Sequence, residues 1–322
     1  MIKAVALISG GLDSILAAKV VQEQGVEVLP VYFKIPFCKN TPRQLTDSGL
    51  DKELQVVDAG EDILKLLRKP AHGFGANMNP CIDCKILMLT KARELMRQQG
   101  ASFVITGEVL GQRPMSQNRR ALEAIEKESG LEGLLLRPLC AKFLPETTPE
   151  KQGWLKRDKL FDFNGRSRKP QIELARKLNI QEYSQPAGGC LLTDPQFSRR
   201  LKDLMAHKEL NADNTELLKL GRHFRLSPQA KLIIGRNELE NGKLMELARV
   251  EDYLFMPVAE IAGPVSLGRG VFDDEALEIS RGITARYCDL EGKTEVDLVC
   301  RYQDKEEVLK SLPLSEEKLK SL

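Results

Sequence analysis

Six consecutive residues near the start, Ser9-Gly10-Gly11-Leu12-Asp13-Ser14, combine two hydroxyls, a carboxylate and two adjacent glycines. The glycines let the main chain take left-handed angles and approach a ligand closely, and the carboxylate can hold a magnesium ion. No lysine follows the glycines, so the loop is built for a phosphate group but not in the manner of a Walker P-loop. A second chemical group lies further on. Cys81-Ile82-Asp83-Cys84 follows Asn79-Pro80, and Cys190 follows Gly188-Gly189. The thiolate is a nucleophile and a metal ligand, and a Cys-x-x-Cys pair alone serves zinc, a redox disulfide or an iron–sulfur cluster. Zinc calls for a fourth nitrogen or sulfur, and His72, His207 and His223 have no motif spacing to the cysteines.

These residues need a frame. The aliphatic run Val5 to Ile8 reads as a strand, the glycines as a tight turn, and Leu12 to Val21 as an apolar periodic helix. Strands at Val26 to Phe33, Leu54 to Val57 and Phe103 to Ile105 alternate with helices at Asp62 to Arg68 and Lys85 to Gln99. That alternation predicts an α/β fold with a doubly wound parallel sheet. Ligands in such sheets sit beyond the carboxyl ends of the strands, where the glycine loop falls. Cys81 lies at the cap of the Lys85 helix with Cys84 one turn on, so the helix dipole is expected to lower both thiol pKa values. Cys38, in the loop from Lys34 to Ser48, reads as incidental; Cys140, Cys288 and Cys300 read as core or strand residues.

At 322 residues, 42% hydrophobic and 29% charged, the chain suits two or three soluble domains rather than disorder. A net charge of +2 leaves nucleic-acid binding to local patches. One such patch runs from Lys151 to Pro170, where seven basic residues stand against two acidic ones with Trp154, Phe161 and Phe163 interleaved. Its sharpest part is Arg166-Ser167-Arg168-Lys169, before a helix from Gln171 to Leu178; an RNA-contacting surface and a solvated charged loop both fit it. The start has no signal-peptide layout and no stretch reaches the ~20 apolar residues of a membrane span, so a cytoplasmic protein with reduced cysteines and no membrane partner is expected.

Ser-Gly-Gly-Leu-Asp-Ser after an N-terminal strand resembles the PP-loop of the adenine-nucleotide α-hydrolase superfamily, of HUP type, which cleaves ATP between the α and β phosphates. Thr106-Gly107-Glu108-Val109-Leu110-Gly111-Gln112-Arg113-Pro114-Met115-Ser116-Gln117 resembles the segment bordering the nucleotide pocket in tRNA 4-thiouridine synthetases, with Pro114-Met115 replacing a small aliphatic pair; Arg137-Pro138-Leu139 recurs there too. The resemblance implies ATP and Mg²⁺ at Ser9, Gly10, Gly11, Leu12, Asp13, Ser14, Thr106, Gly107, Gly111 and Gln112. It further implies adenylation of a tRNA uridine and replacement of its oxygen by sulfur, with Asp13, Cys81 and Cys190 as the catalytic residues. Thiouridine-forming relatives use either a persulfide and disulfide pair or a [4Fe-4S] cluster on three thiolates, and Cys81, Cys84 and Cys190 resemble the second kind. The product expected is 4-thiouridine at position 8 of tRNA. The alternatives are 2-thiouridine elsewhere, a small-molecule PP-loop enzyme of amidotransferase, ligase or thiouracil-desulfidase type, and a non-catalytic RNA-binding protein.

After a polar stretch from Lys202 to Asn214 the character changes. Ile233-Ile234-Gly235-Arg236-Asn237-x-x-x-Asn241 resembles the NFACT-R (DUF814) RNA-binding signature, which implies RNA contacts from Arg236 and Asn237 to join those of Arg166, Arg168 and Lys169; a small α+β domain at an oligomer interface is the alternative. The expected organisation is a PP-loop domain over 1–205, a smaller C-terminal α+β domain over 215–305 and a helical tail over 306–322. Expected partners are tRNA and a sulfur donor, sulfide or a cysteine desulfurase, with a homodimer as the assembly.

Overall fold

The computed structural model describes residues 1–38, 54–181, 183 and 189–320. Most of the Lys34 to Ser48 loop and Pro186 to Gly188 of the late glycine turn lie outside the described residues. The chain divides into two compact units, Met1–Ser198 and Arg199–Leu322, the division falling inside one helix.

The first unit runs β1 (Lys3–Leu7), α1 (Leu12–Gln22), β2 (Glu27–Lys34), β3 (Gln55–Asp58), α2 (Gly60–Arg68), α3 (Cys81–Gln98), β4 (Phe103–Ile105), α4 (Arg119–Glu128) and β5 (Leu135–Leu136), followed by α5 (Thr148–Lys151), α6 (Lys169–Lys177) and the first turn of α7 (Pro195–Ala206). Its sheet has the order β3-β2-β1-β4-β5, and every pairing is parallel. β1 is therefore central, with β2 on one side and β4 on the other, and Ala4, Val5 and Ala6 are buried by both faces. Small residues there let α1 pack closely: Ile15, Leu16, Ala17 and Val21 of that helix join Ala4, Ala6, Phe103 and Ile105 in one core. The chain order reverses between β1 and β4, which places the crevice for a ligand at their carboxyl ends.

The long connection after β5 is packed down rather than solvated. Trp154, Phe161 and Phe163 pack against the core of α1 and β4, with Trp154 stacked on Phe103 at 6.3 Å and Phe161 against Phe163 at 4.9 Å. Arg157 turns inward to Glu150 and to the carbonyls of Ala141 and Leu144. The aromatics of the basic patch thus anchor the loop, a role that large apolar area serves before base stacking is available.

The second unit contains α8 (Ala212–Leu217), β6 (Arg222–Ser227), β7 (Ala230–Ile234), α9 (Glu238–Leu247), β8 (Tyr253–Pro257), β9 (Ser266–Gly270), α10 (Asp274–Arg286), β10 (Val296–Tyr302), β11 (Lys305–Ser311) and α11 (Glu316–Lys320). Six antiparallel strands lie in the order β11-β10-β8-β9-β7-β6. Leu244 of α9 packs with Ile233, Leu254 and Leu267 on one face, and Ile283 of α10 with Leu232, Ile234 and Phe255 on the other. The expected helical tail is corrected here: Lys305–Ser311 is an edge strand, and only Glu316–Lys320 is helical. β11 pairs along its length with β10 in a hairpin, where Tyr302 and Lys305 pair across Gln303-Asp304, with Gln303 at φ 54°. Among the described residues no helix is long and apolar enough to cross a membrane.

Candidate active site

The glycine loop sits at the carboxyl end of β1, as its sequence requires. Gly10 takes φ 76°, a left-handed angle, and Gly11 caps α1 in an extended conformation. The hydroxyls brace the loop: the Ser9 N–H donates to Ser14 Oγ at 3.1 Å, and Ser14 Oγ donates to the Gly11 carbonyl at 2.8 Å. The loop is thus shaped before any ligand arrives, and the first N–H groups of α1, which have no intrahelical acceptor, open into the crevice.

β4 delivers the second wall. A Cβ on Gly107 would lie 2.4 Å from the Asp13 carbonyl carbon and oxygen and 2.5 Å from the Ser14 nitrogen. Only a hydrogen fits where the Thr106-Gly107 turn backs onto the loop. Gly107→Ala is expected to destabilise the protein by about 1–3 kcal/mol through overpacking against main chain, read as a lower midpoint in urea unfolding. Beyond it, Gln112 Nε2 donates to Asp13 Oδ2 at 2.9 Å, and Gly111 at φ 77° closes a turn through its N–H to the Gln117 carbonyl at 2.7 Å. Asp13 Oδ1, Gln112 Oε1 and Gln117 Oε1 are buried without hydrogen-bond partners. Such orphaned groups are costly, and together they line a site made for something polar. Burial raises the Asp13 pKa above its ordinary value, although the Gln112 hydrogen bond and the charges of Arg168 and Arg113 oppose the rise.

Glu108 and Arg137 have a different task. Burial would push the Glu108 carboxyl up, but Lys85 at 2.8 Å and Arg137 at 3.0 Å hold it at about 2. Arg137 also reaches Glu126 at 2.8 Å and the Leu122 carbonyl at 3.1 Å. This buried network locks α3, α4 and the two loop segments into one frame behind the site.

The thiols converge from three segments. Cys81 is the first residue of α3 and Cys84 stands one turn on. The loop before α3 is stitched to the Cys190 turn by Asn77 Nδ2 to the Thr193 carbonyl at 2.8 Å and by the Met78 N–H to the Leu192 carbonyl at 3.2 Å. Asn79 Nδ2 donates to Cys81 Sγ at 3.2 Å. Two expectations are corrected. Cys38 is not incidental: it is the antiparallel bridge partner of Cys190, fastened by the Leu191 N–H to the Phe37 carbonyl at 2.8 Å. Spacing in sequence could not show a partner 152 positions away. For Cys84, the helix dipole does not win: burial, and then the like charges of Cys190, Cys38 and Cys81, push its thiol well above the ordinary range. Burial raises the Cys190 thiol as well, with Arg113 opposing.

Among the described residues no three histidine, cysteine or carboxylate side chains close on a single metal ion. His72 Nε2 bonds Glu128, His207 Nδ1 the Asp203 carbonyl and His223 Nε2 the Leu220 carbonyl. The donors brought together here are thiols, a set that both zinc and an iron–sulfur cluster accept. Cys140 is fully buried, its thiol donating to the Glu108 carbonyl at 3.3 Å, and Cys288 and Cys300 pack in the second unit's core.

The remaining candidates separate. Arg166 and Lys169 are exposed, whereas Arg168 is half-buried, with its Nε out of solvent. In the second unit Asn237 caps α9 by accepting from the Glu240 N–H at 3.0 Å, Arg236 pairs with Glu240, and Asn241 bonds the Gly263 carbonyl and the Val265 N–H. A Cβ on Gly235 would meet Asn241 Oδ1 at 2.1 Å. Much of that motif therefore builds a turn, while the Arg236 side chain stays 47% exposed.

With this geometry in hand, likeness to known proteins falls into two blocks. Residues 2–142 match the family described as thiamine biosynthesis protein (ThiI), and residues 221–322 match the NFACT protein RNA binding domain. A probable tRNA sulfurtransferase of Methanosarcina mazei is 34% identical over 119 residues, covering 34% of this chain and 29% of that protein. Another from Thermococcus kodakarensis is 32% identical over 120 residues, covering 34% and 30%. The matched region thus spans under a third of these relatives' length. A solved 4-thiouridine synthetase–RNA complex with bound ATP is similar at 20% identity and a TM-score of 0.36, covering 67% of this chain and 52% of that one. Residues 2–142 are thus similar to ThiI and residues 221–322 to the NFACT RNA-binding domain, two likenesses carried by one chain.

Proposed function

We propose that this protein uses ATP to adenylate a uridine of tRNA and then replaces the uridine carbonyl oxygen with sulfur, giving 4-thiouridine at position 8. The observation that carries the reading is that one segment, 106–117, borders both chemistries: Gln112 Nε2 donates to Asp13 Oδ2 at 2.9 Å, and a Cβ on Gly75, whose N–H donates to the Asn79 carbonyl in the loop leading to Cys81, would meet Met115 Cε at 3.3 Å. Activation and sulfur delivery are therefore assigned to one cleft.

In the first step the glycine loop and the N–H groups of α1 hold the phosphates, and Asp13 orients them with Mg²⁺. The uridine oxygen forms a bond to the α phosphorus as the bond to the β phosphate breaks and pyrophosphate leaves. Attack by reduced sulfur on the activated carbon then expels AMP with the oxygen. Cys81, Cys84 and Cys190 are the residues that would hold a [4Fe-4S] cluster, whose open iron would present sulfide to that carbon. Asn79 orients Cys81, and the hydrogen bonds from Asn77 and Met78 set the distance between the two thiol-bearing loops. The exposed guanidinium and ammonium groups of Arg166, Lys169 and Arg236 supply phosphate contacts for the RNA. The sulfur comes from sulfide or a cysteine desulfurase, and the working assembly is a homodimer in the cytoplasm.

The test is nucleoside mass spectrometry of unmodified tRNA incubated with anaerobically prepared protein, ATP, Mg²⁺ and sulfide. New 4-thiouridine is expected, and 2-thiouridine in its place would move the modified atom. Cys190→Ala is expected to retain pyrophosphate release at near wild-type rates and to lose the thionucleoside. Full thiolation by that variant would overturn the three-thiol reading. Pyrophosphate release that ignores tRNA would overturn the substrate and turn the search to small molecules.

A further inference from the structure

The two edges of the second unit's sheet are built differently. Natural edge strands are blunted by bulges, prolines or short length, because their N–H and C=O groups would otherwise pair with another chain. β6 follows that rule: it carries a bulge between Arg225 and Ser227, and Arg225 is tied down by Asp203 and Glu209. β11, at the opposite edge, has none of these devices. It is seven residues long, contains no proline and pairs with β10 from Lys305 to Ser311 without a register shift. Glu306, Val308 and Lys310 are exposed, Val308 at 59%.

The hairpin fixes which main-chain groups of β11 face outward. Tyr302 and Lys305 close a two-residue turn and so form a hydrogen-bonded pair, and such pairs recur at every second position of an antiparallel ladder. Lys305, Glu307, Leu309 and Ser311 therefore direct their N–H and C=O groups at β10, and Glu306, Val308 and Lys310 direct theirs away from the sheet. A second bond agrees. The Asp297 carbonyl, opposite Lys310, accepts from the Val258 N–H next to β8 at 3.2 Å, so its main chain faces β8 and not β11. Among the described residues no strand lies beyond β11.

The side chains of those outward-bonding residues share a face with their partners on β10, Glu306 with Arg301, Val308 with Val299 and Lys310 with Asp297. Val299 faces Met256 of β8 in turn, so a partly exposed apolar row, Met256-Val299-Val308, runs out to the edge between two charged rows of opposite polarity. A twofold axis through Val308 would set Val308 against Val308 of a second copy, Glu306 against the second copy's Lys310, and the reverse. Each charged row would then read Arg301, Glu306, Lys310, Asp297 across the seam, alternating in sign throughout, and the apolar row would continue unbroken. Shifting the axis by one residue sets Glu307 against Glu307, or leaves Lys310 opposite Val308. Opposite charges directly across a seam are favourable and like charges are not, so the charges select the register.

We infer that β11 is a dimerisation edge, at which two copies of this chain join their sheets antiparallel about Val308. The outward N–H and C=O groups of Glu306, Val308 and Lys310 then all find partners on the second copy. Lys310 Nζ reaches Glu295 of its own chain at 2.8 Å with its side chain 71% exposed, a surface contact that is exchanged at little cost. The same edge is used by both copies and β6 is blunted, so the assembly closes at two instead of growing into a filament. This gives the homodimer named above its interface; it rests on that assembly alone and on no step of thiolation.

The experiment is sedimentation velocity of the intact protein between about 1 and 100 μM, with circular dichroism to check the fold. Wild type is expected to pass from monomer to dimer over that range. Glu306→Lys sets lysine against lysine and Lys310→Glu sets glutamate against glutamate, and each alone is expected to weaken the dimer by about 10- to 100-fold. An equal mixture of the two is expected to dimerise again, because every charged pair across the seam is then a glutamate with a lysine. Mixing would not undo general damage to the fold. Should a charge variant fail to fold, Val308→Pro removes an N–H that points outward, leaves the ladder with β10 intact and is expected to weaken the dimer equally. A dimer that these variants leave unchanged, or a mixture that stays monomeric, would overturn the edge and place the homodimer contact elsewhere. Wild type that is monomeric throughout would overturn both and leave the edge to a strand of another protein, while the nucleoside assay still decides thiolation.

Discussion

Asp13→Asn is expected to slow pyrophosphate release from ATP by about 100- to 1,000-fold while raising the melting temperature of the ligand-free protein by a few degrees. The two effects come from one cause. Asp13 is largely buried, its Oδ1 lacks a partner, and desolvation lifts its pKa above 3.8. A carboxylate in that position destabilises the folded state when it ionises. Because the folded pKa is raised, stability is lost as pH climbs from 3.8 through the folded value, and the gap between wild type and Asn should open across that interval. Asn keeps the shape and can still accept from Gln112 Nε2, but it supplies no charge to a magnesium ion or to the phosphates it would orient. Melting curves at acid and neutral pH, set beside a pyrophosphate-release assay, check both halves. An Asn variant that is less stable at neutral pH would show that Asp13 is a structural residue.

Glu108→Gln carries the opposite expectation. It should cost about 3–5 kcal/mol, because removing one member of a buried ion network leaves the others uncompensated. Glu108 is 2% exposed and holds Lys85 and Arg137, the latter also 2% exposed at its side chain. Its pKa falls from 4.5 to about 2 despite burial. A depressed carboxyl contributes stability that is full above its unfolded pKa and disappears as pH falls through the folded one, here between 4.5 and about 2. Wild type should therefore lose roughly 3 kcal/mol over that window, and the Gln variant should show a flatter acid limb. Urea unfolding at graded pH makes the comparison. Coincident acid limbs would mean that another carboxylate governs acid unfolding.

What could be read before folding was whatever lies close together in sequence. The strand, glycine turn and helix of Val5 to Val21 announce themselves because apolar period and turn chemistry are local properties, and alternating strands and helices led to the parallel sheet. The Thr106 to Gln117 segment was recognisable, yet its reason was not: Gly107 is required by the main chain of Asp13, which only the pairing of β1 with β4 reveals. Cys38 was passed over because its partner comes from the far end of the unit. Arg168 looked like any other cation in a basic run, since a count of charges does not show that its Nε is withdrawn from solvent. Cys84 went wrong for a further reason, as desolvation depends on the whole surroundings while a helix dipole can be guessed from two turns of sequence.

The pairing of Cys38 with Cys190 also bears on how the protein must be handled. Antiparallel partners stand at a separation that a disulfide can span, and the chain between these two is roughly half of the molecule. A covalent link there would restrict the unfolded chain by about 5 kcal/mol of loop-closure entropy. It would also consume the late thiol to which the proposed sulfur delivery is assigned. Air-exposed preparations should consequently melt higher and turn over less, so that thermal stability, the usual guide in choosing a purification buffer, would select the inactive form.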